Sequence, residues 1–220
     1  MFFRAPARAT TGCCRPIVSS DERFDDFFFS QQVETLEQRN AFKAEFLARF
    51  EQELASLPES VHTVLISSEH FHSRIRTEEE MDNVRRLLST YFDPIRIVCY
   101  LREQVITCTS HYSTSLKAGK TNGFVKFMER CSPRNYYYNY VDMLANWERS
   151  FGVEALDIAL FDRDRFLNND LLDDFTARID PELVGTLNKN IEVANESLSP
   201  AGQALALGVN RAFPIQHNAH

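Results

Sequence analysis

No apolar run in these 220 residues approaches the ~20 needed to cross a bilayer. The opening MFFRAPARATTGCCRP also lacks the roughly 7–15-residue apolar core of a secretory signal. A cytoplasmic protein without a membrane span is therefore the expectation. Arg4, Arg8 and Arg15 echo a transit peptide, but no amphipathic pattern supports one. Positive charge is the scarcer sign: 24 Lys and Arg against 31 Asp and Glu give a net charge of -7. That balance argues against general nucleic-acid binding and leaves room for a local basic pocket. Cysteines are few and odd in number: Cys13, Cys14, Cys99, Cys108 and Cys131. They read as free thiols in a reducing compartment and not as a disulfide framework. No CxxC or His/Cys spacing marks zinc, and the His70–His72 pair has no apparent third ligand, so no metal is expected. The Walker sequence G-x-x-x-x-G-K-[ST] is absent, which counts against a small kinase. There is no internal repeat and no low-complexity tract.

The composition that remains is globular: 44% hydrophobic, 25% charged, with 18 Phe for the core. Residues 1–30 give no defined element, 31–211 read as one α/β domain, and 212–220 as a tail. Helix is expected over 31–56, with Leu36, Phe42, Phe46, Phe50 and Leu54 as its apolar stripe and Pro58 after it. VHTVLI at 61–66 reads as a strand running into Ser67-Ser68-Glu69-His70. Thr77 and Glu80 form a capping-box pattern for a helix to about Tyr91, with Met81, Val84, Leu87 and Leu88 inward. Further helices are expected over 103–117, 124–128, 136–150 and 164–179, and a last one after Ser199-Pro200. LDIALF at 156–161 is a third strand. Alternation of this kind implies a parallel sheet flanked by helices.

The central stretch is PIRIVCYLREQVITCTSHYSTSLKAG, Pro94 to Gly119. Ile95 to Leu101 reads as a strand buried on both faces. Arg102 follows it directly. Val105, Thr109, Tyr112 and Leu116 then mark a helix that Gly119 stops. In open α/β sheets ligands bind at the carboxyl ends of strands. A helix N-terminus favours an anion there, and a guanidinium adds a fork that matches phosphate or sulfate. Ser110 lies about two turns on and roughly 80° round the helix, within reach of an anion that Arg102 holds. The same residues also admit a plain reading, with Arg102 paired to a carboxylate and Ser110 in a helix contact.

The string YLREQVITCTSHY resembles the 3′-phosphate-binding segment of PAPS-dependent sulfotransferases: a strand ending in Arg, a helix, and a Ser eight residues later. LISSEH, YSTSLKAG, YNYVDMLANWERSFG and NESLSPAGQALALGVNR extend the similarity over roughly Val61 to Arg211. The family is that of sulfotransferase-like proteins found with bacterial polysaccharide genes. The resemblance implies a P-loop NTPase-like sulfotransferase fold, incomplete at both ends, with PAPS as co-substrate and a carbohydrate hydroxyl as acceptor. It implies cofactor binding by Arg102, Ser110 and Tyr112. Glu69 or His70, at the end of a strand, is the candidate catalytic base. Structural readings stand beside these: Glu69 capping a turn, His70 a satisfied histidine, Lys117 and Lys120 solvated. Trp147 and Tyr136–Tyr138 could stack on sugars, but the spacing of Tyr140, Leu144 and Trp147 favours core packing. The family's N-terminal phosphate loop with its Lys and Gly-Thr-Thr is missing, Arg8-Ala9-Thr10-Thr11-Gly12 being a faint echo. The chain is then expected to be a fragment, a diverged inactive member, or a non-catalytic binding protein that keeps the fold.

Overall fold

Two capping boxes start the helices of the N-terminal half. Thr35 Oγ1 accepts from the Gln38 N–H at 3.2 Å, and Gln38 Oε1 accepts from the Thr35 N–H at 3.0 Å. Thr77 and Glu80 repeat the arrangement: Thr77 Oγ1 accepts at 3.1 Å, and the Glu80 carboxylate accepts from the N–H of Thr77 and of Arg76. Each box satisfies two N–H groups that a helix start otherwise leaves bare. The computed structural model describes Phe28, residues 31–187, Lys189 and residues 196–214. The irregular segment expected over 1–30, Phe28 apart, lies outside them, as does the end of the tail.

The described elements are α1 (Leu36–Ala55), α2 (His70–Ser73), α3 (Glu78–Ser89), β1 (Ile97–Leu101), α4 (Gln104–Lys117), α5 (Phe124–Met128), α6 (Tyr140–Phe151), β2 (Leu156–Leu160), α7 (Leu171–Ile179) and α8 (Pro200–Ala212). The architecture is α/β, mostly helical, with a parallel sheet of two strands. Three strands were expected, and the first is corrected. Val61–Ile66 forms no strand, and Leu65 alone makes an isolated bridge. His62 and Thr63 are exposed there, so the segment lacks the two-sided burial that a parallel strand requires. The single helix expected over 136–150 is a 3-10 turn at Tyr136–Tyr138 followed by α6. Residues 163–169 are likewise two 3-10 turns ahead of α7. Asp170 caps α7 by accepting from the N–H of Leu172 and Asp173, so that helix cannot begin at Asp164.

Among the described residues the chain divides into two compact units. One holds the residues up to Ile95 together with Val141–Ala155, and the other Arg96–Tyr140 and the residues from Leu156 onward.

In the first unit Ile75, Met81, Val84, Met143 and Trp147 are buried. The Trp147 ring meets Phe71 edge-on at 6.1 Å and lies 5.5 Å from Phe151, so the packing reading of Trp147 holds. Phe50 packs against Tyr91 and Phe92, and the Tyr91 hydroxyl donates to Glu51 at 2.6 Å. The expected α1 stripe is displaced at its start: Leu36 is exposed, while Arg39 is buried with its guanidinium 5.2 Å above the Phe28 ring. That replaces an apolar contact by a cation–π contact. Thr77→Ala should cost about 1 kcal/mol in urea unfolding without changing the slope. An unchanged midpoint would mean that Glu80 alone secures the α3 start.

In the second unit β1 and β2 pair in register from Ile97↔Leu156 to Leu101↔Leu160. Residues directly opposite share a face. The Tyr100–Ala159 face carries α7, whose Phe175 ring lies 6.4 Å from Tyr100. Helix α4 stops where Gly119 takes φ +79°, a conformation open to glycine at little cost. Its buried line is Cys108, Tyr112 and Leu116, not the line through Val105, which is 53% exposed. Phe127 of α5 and Tyr138 complete that cluster, and Leu198, Ala206 and Leu207 pack on it. Among the described residues no helix is long and apolar enough to cross a membrane.

Candidate functional site

Arg102 and Phe161 each leave the carboxyl end of a strand, side by side. The Phe161 N–H donates to the Leu101 carbonyl at 2.8 Å, continuing the ladder one step beyond β2. The Arg102 guanidinium then sits 5.6 Å above the Phe161 ring. The Arg102 carbonyl accepts from the Tyr140 hydroxyl at 2.7 Å, within the same unit. Arg102 is exposed and forms no ion pair among the described residues. The carboxylate partner of the plain reading is thus missing, and the charge is held by an aromatic face.

The helix N-terminus beside it is already capped. The Glu103 carboxylate accepts from the N–H of Val105 at 2.9 Å and of Ile106 at 2.7 Å. Those two bonds, Val105 first, hold the Glu103 carboxyl below the usual carboxylate range. The negative charge that this helix start favours is therefore supplied by the chain itself. No sequence signal announced this cap, since Glu is not among the usual N-cap residues.

Ser110 is partly exposed, and its Oγ lies 3.2 Å from Ser197 Oγ. Tyr112 is 3% exposed, with its ring 5.2 Å from Phe124 and 5.3 Å from Phe127. That placement makes it a core ring beneath the Ser110 turn, not a surface contact. Next to it, His111 Nδ1 and the Tyr138 hydroxyl are 3.0 Å apart, and the imidazole lies 4.7 Å from the Tyr137 ring. Burial raises the Tyr138 phenol, and its bond to Cys108 adds to this. Tyr137 and Tyr138 thus pack on α4. Lys117 Nζ donates to the Glu196 carbonyl.

Glu69 and His70 belong to the first unit. Glu69 is exposed and is the N-cap of the single-turn α2, with no side-chain cap bond. His70 is half-buried; its N–H donates to Ser68 Oγ, and its Nδ1 accepts from Arg74 Nε at 3.1 Å and lies 3.3 Å from Ser73 Oγ. The Nδ1 lone pair is thereby engaged. No group of three His, Cys, Asp or Glu side chains placed to hold a metal occurs among the described residues.

Three further features escaped the sequence reading: the Phe161 platform, the Tyr140 tie and the Ser197 contact. All join residues far apart in the chain, and no local pattern announces them.

No family model matches the chain, and no solved structure matches it. It is similar to a protein of Archaeoglobus fulgidus described as an uncharacterized protein, 29% identical over 120 residues. That match takes in 54% of this chain and 32% of the archaeal protein, so the chain spans about a third of the relative's length.

Proposed function

We propose that the second unit binds the 3′-phosphate of PAPS, or of its product adenosine 3′,5′-bisphosphate, at the carboxyl end of β1. The chain is then a sulfotransferase-like protein of the P-loop NTPase-like kind, acting on a carbohydrate hydroxyl. The observation that carries this reading is Arg102, an exposed guanidinium at the carboxyl end of a parallel strand, leading into a helix and lacking a carboxylate partner among the described residues. Guanidinium and hydroxyl donors suit a phosphate monoester. Ser110 supports the reading with a hydroxyl turned out of its own helix. The family, the PAPS donor and the sugar acceptor come from the resemblance of YLREQVITCTSHY and its flanking segments to sulfotransferases. Sulfuryl transfer also needs a base; Glu69 and His70 are candidates for it only from the end of a strand that Val61–Ile66 does not form, and both lie in the first unit, so no base is assigned beside Arg102.

A second reading is a binding protein without catalysis. It is favoured by the Glu103 cap, which occupies the N–H groups that a helix start would otherwise offer an anion.

Calorimetric titration with adenosine 3′,5′-bisphosphate and with adenosine 5′-phosphate tests the shared claim. Micromolar, salt-weakened binding of the bisphosphate, with weaker binding of the monophosphate, is expected. Equal or absent binding of the two by folded protein would overturn the phosphate site.

A further inference from the structure

Helix α4 carries six Ser and Thr side chains, and their hydrogen bonds fall into two sets. Four return to the helix's own backbone: Thr107 Oγ1 to the Glu103 carbonyl, Thr109 to Val105, Thr114 to Ser110 and Ser115 to Tyr112. This is the ordinary fate of Ser and Thr in helices. Ser110 and Ser113 differ. Ser113 is 1% exposed, and its Oγ accepts from the Leu198 N–H at 2.7 Å. Ser110 Oγ meets Ser197 Oγ at 3.2 Å, near the surface.

The segment 196–199 is therefore laid along one side of α4. Ser110, Ser113 and Lys117 stand at i, i+3 and i+7, a single helical face. They bond in turn to Ser197, to the Leu198 N–H and to the Glu196 carbonyl. The segment is also secured from the α8 side. Ser199 Oγ accepts from the Gly202 N–H at 3.2 Å, and Gln203 Nε2 donates to the Leu198 carbonyl at 3.1 Å. The bond that holds the backbone is the buried one at Ser113. The Ser110–Ser197 bond joins two accessible hydroxyls that the rest of the packing has already brought together.

Each serine hydroxyl has one O–H donor and two acceptor lone pairs. When the two bond to each other, one O–H is used and the other is left to donate. In the presence of an anion both can turn to donate to it, because neither is needed by the backbone. Four hydroxyls of α4 cannot do this without giving up a helix carbonyl.

We propose that Ser197 is a binding residue for the same anion as Ser110, the two hydroxyls together receiving the 3′-phosphate of the nucleotide. This rests on the phosphate-site reading of Arg102 and Ser110 given above, and adds a residue 87 positions from Ser110 in the chain. It gives residues 196–199 a place in ligand recognition beside their packing role.

Ser197→Ala is tested by calorimetry with adenosine 3′,5′-bisphosphate and adenosine 5′-phosphate, and by thermal unfolding. The expected result is about a tenfold loss for the bisphosphate, no change for the monophosphate, and an unchanged unfolding midpoint. Ser197→Thr, which keeps the hydroxyl, should retain the affinity that the equally shaped Ser197→Val loses; this pair decides the matter if the alanine variant folds poorly. Bisphosphate affinity within twofold of wild type in Ser197→Ala or Ser197→Val would overturn the proposal while leaving the Arg102 site intact. A parallel loss for both nucleotides would show Ser197 to be structural only, which also overturns it. If the wild-type chain fails to prefer the bisphosphate, the phosphate site itself falls, and this proposal with it.

Discussion

Arg102→Ala should lower affinity for adenosine 3′,5′-bisphosphate about 100-fold, leaving only the smaller preference that Ser110 and Ser197 supply. A hydrogen bond to a charged group contributes about 1.5–3 kcal/mol, and a guanidinium offers two of them to a phosphate. The fold should survive the change. The contact with Phe161 at 5.6 Å is worth about 0.5–1 kcal/mol at an exposed site, and the Tyr140 hydroxyl bonds the Arg102 carbonyl, which alanine keeps. Arg102→Lys should recover part of the affinity, since one ammonium replaces the charge but not the fork. The Glu103 cap sharpens the expectation. With the N–H groups of Val105 and Ile106 already bonded, no helix-start cradle remains to compensate for the lost side chain. Calorimetry with both nucleotides and a thermal unfolding curve decide the matter. A folded Arg102→Ala protein that binds the bisphosphate within about threefold of wild type would place the phosphate elsewhere.

The parts of this corner that could be read in the chain are those fixed by neighbours in sequence. Ile97–Leu101 is a strand because a short apolar run with β-branched residues suits a parallel ladder, and Gly119 ends α4 because φ +79° suits glycine. The Thr77–Glu80 box and the Ser199-Pro200 start are local in the same sense. The phase of α4 was misread through Val105, because Cys108 was weighed as a thiol and not as the small apolar residue that it is in the core. Tyr112 lay on the expected line as well, and its place at the cofactor came from the resemblance. Once Cys108, Tyr112 and Leu116 are taken as one face, its burial is expected. The strand at Val61–Ile66 failed on His62 and Thr63, whose exposure no apolar average reveals. Ser197 and Phe161 depend on chain segments meeting across long separations, which no local spacing encodes.

The largest expected loss of stability comes from Arg178→Ala, which removes the charge at the centre of the sheet's α7 face. Arg178 Nε bonds Asp174 at 3.0 Å, its Nη1 bonds Asp157 of β2, and its guanidinium lies 5.5 Å above the Tyr100 ring of β1. Both strands and α7 thus meet on one side chain. The Asp174 side chain is 13% exposed and that of Arg178 29%, between a surface pair and a buried one. Removing the cation should cost about 2–3 kcal/mol, since among the described residues Asp157 keeps only Arg96 at 3.4 Å while Asp174 keeps the Tyr100 hydroxyl and the Leu167 N–H. The same group of residues sets an alkaline limit. Burial first, and then the bond to Asp174, pushes the Tyr100 phenol up from 10.0 to about 12. The folded protein therefore keeps that proton after the unfolded chain has released it. The resulting stability is full below pH 10 and is lost as pH rises toward 12, a fall of at most about 3 kcal/mol. Asp174 works in the opposite sense. Its own burial would raise it, but bonds from Tyr100, the Leu167 N–H and Arg178 outweigh this and hold it below the ordinary range, so its contribution is present at neutral pH and lost on acidification. Urea unfolding across pH 8–12 should show the alkaline fall in wild type and a flatter limb in Tyr100→Phe. An Arg178→Ala cost under about 1 kcal/mol would mean that α7 is held by Phe166 and Phe175 against Tyr100, with the ion pairs as surface ornament to an apolar contact.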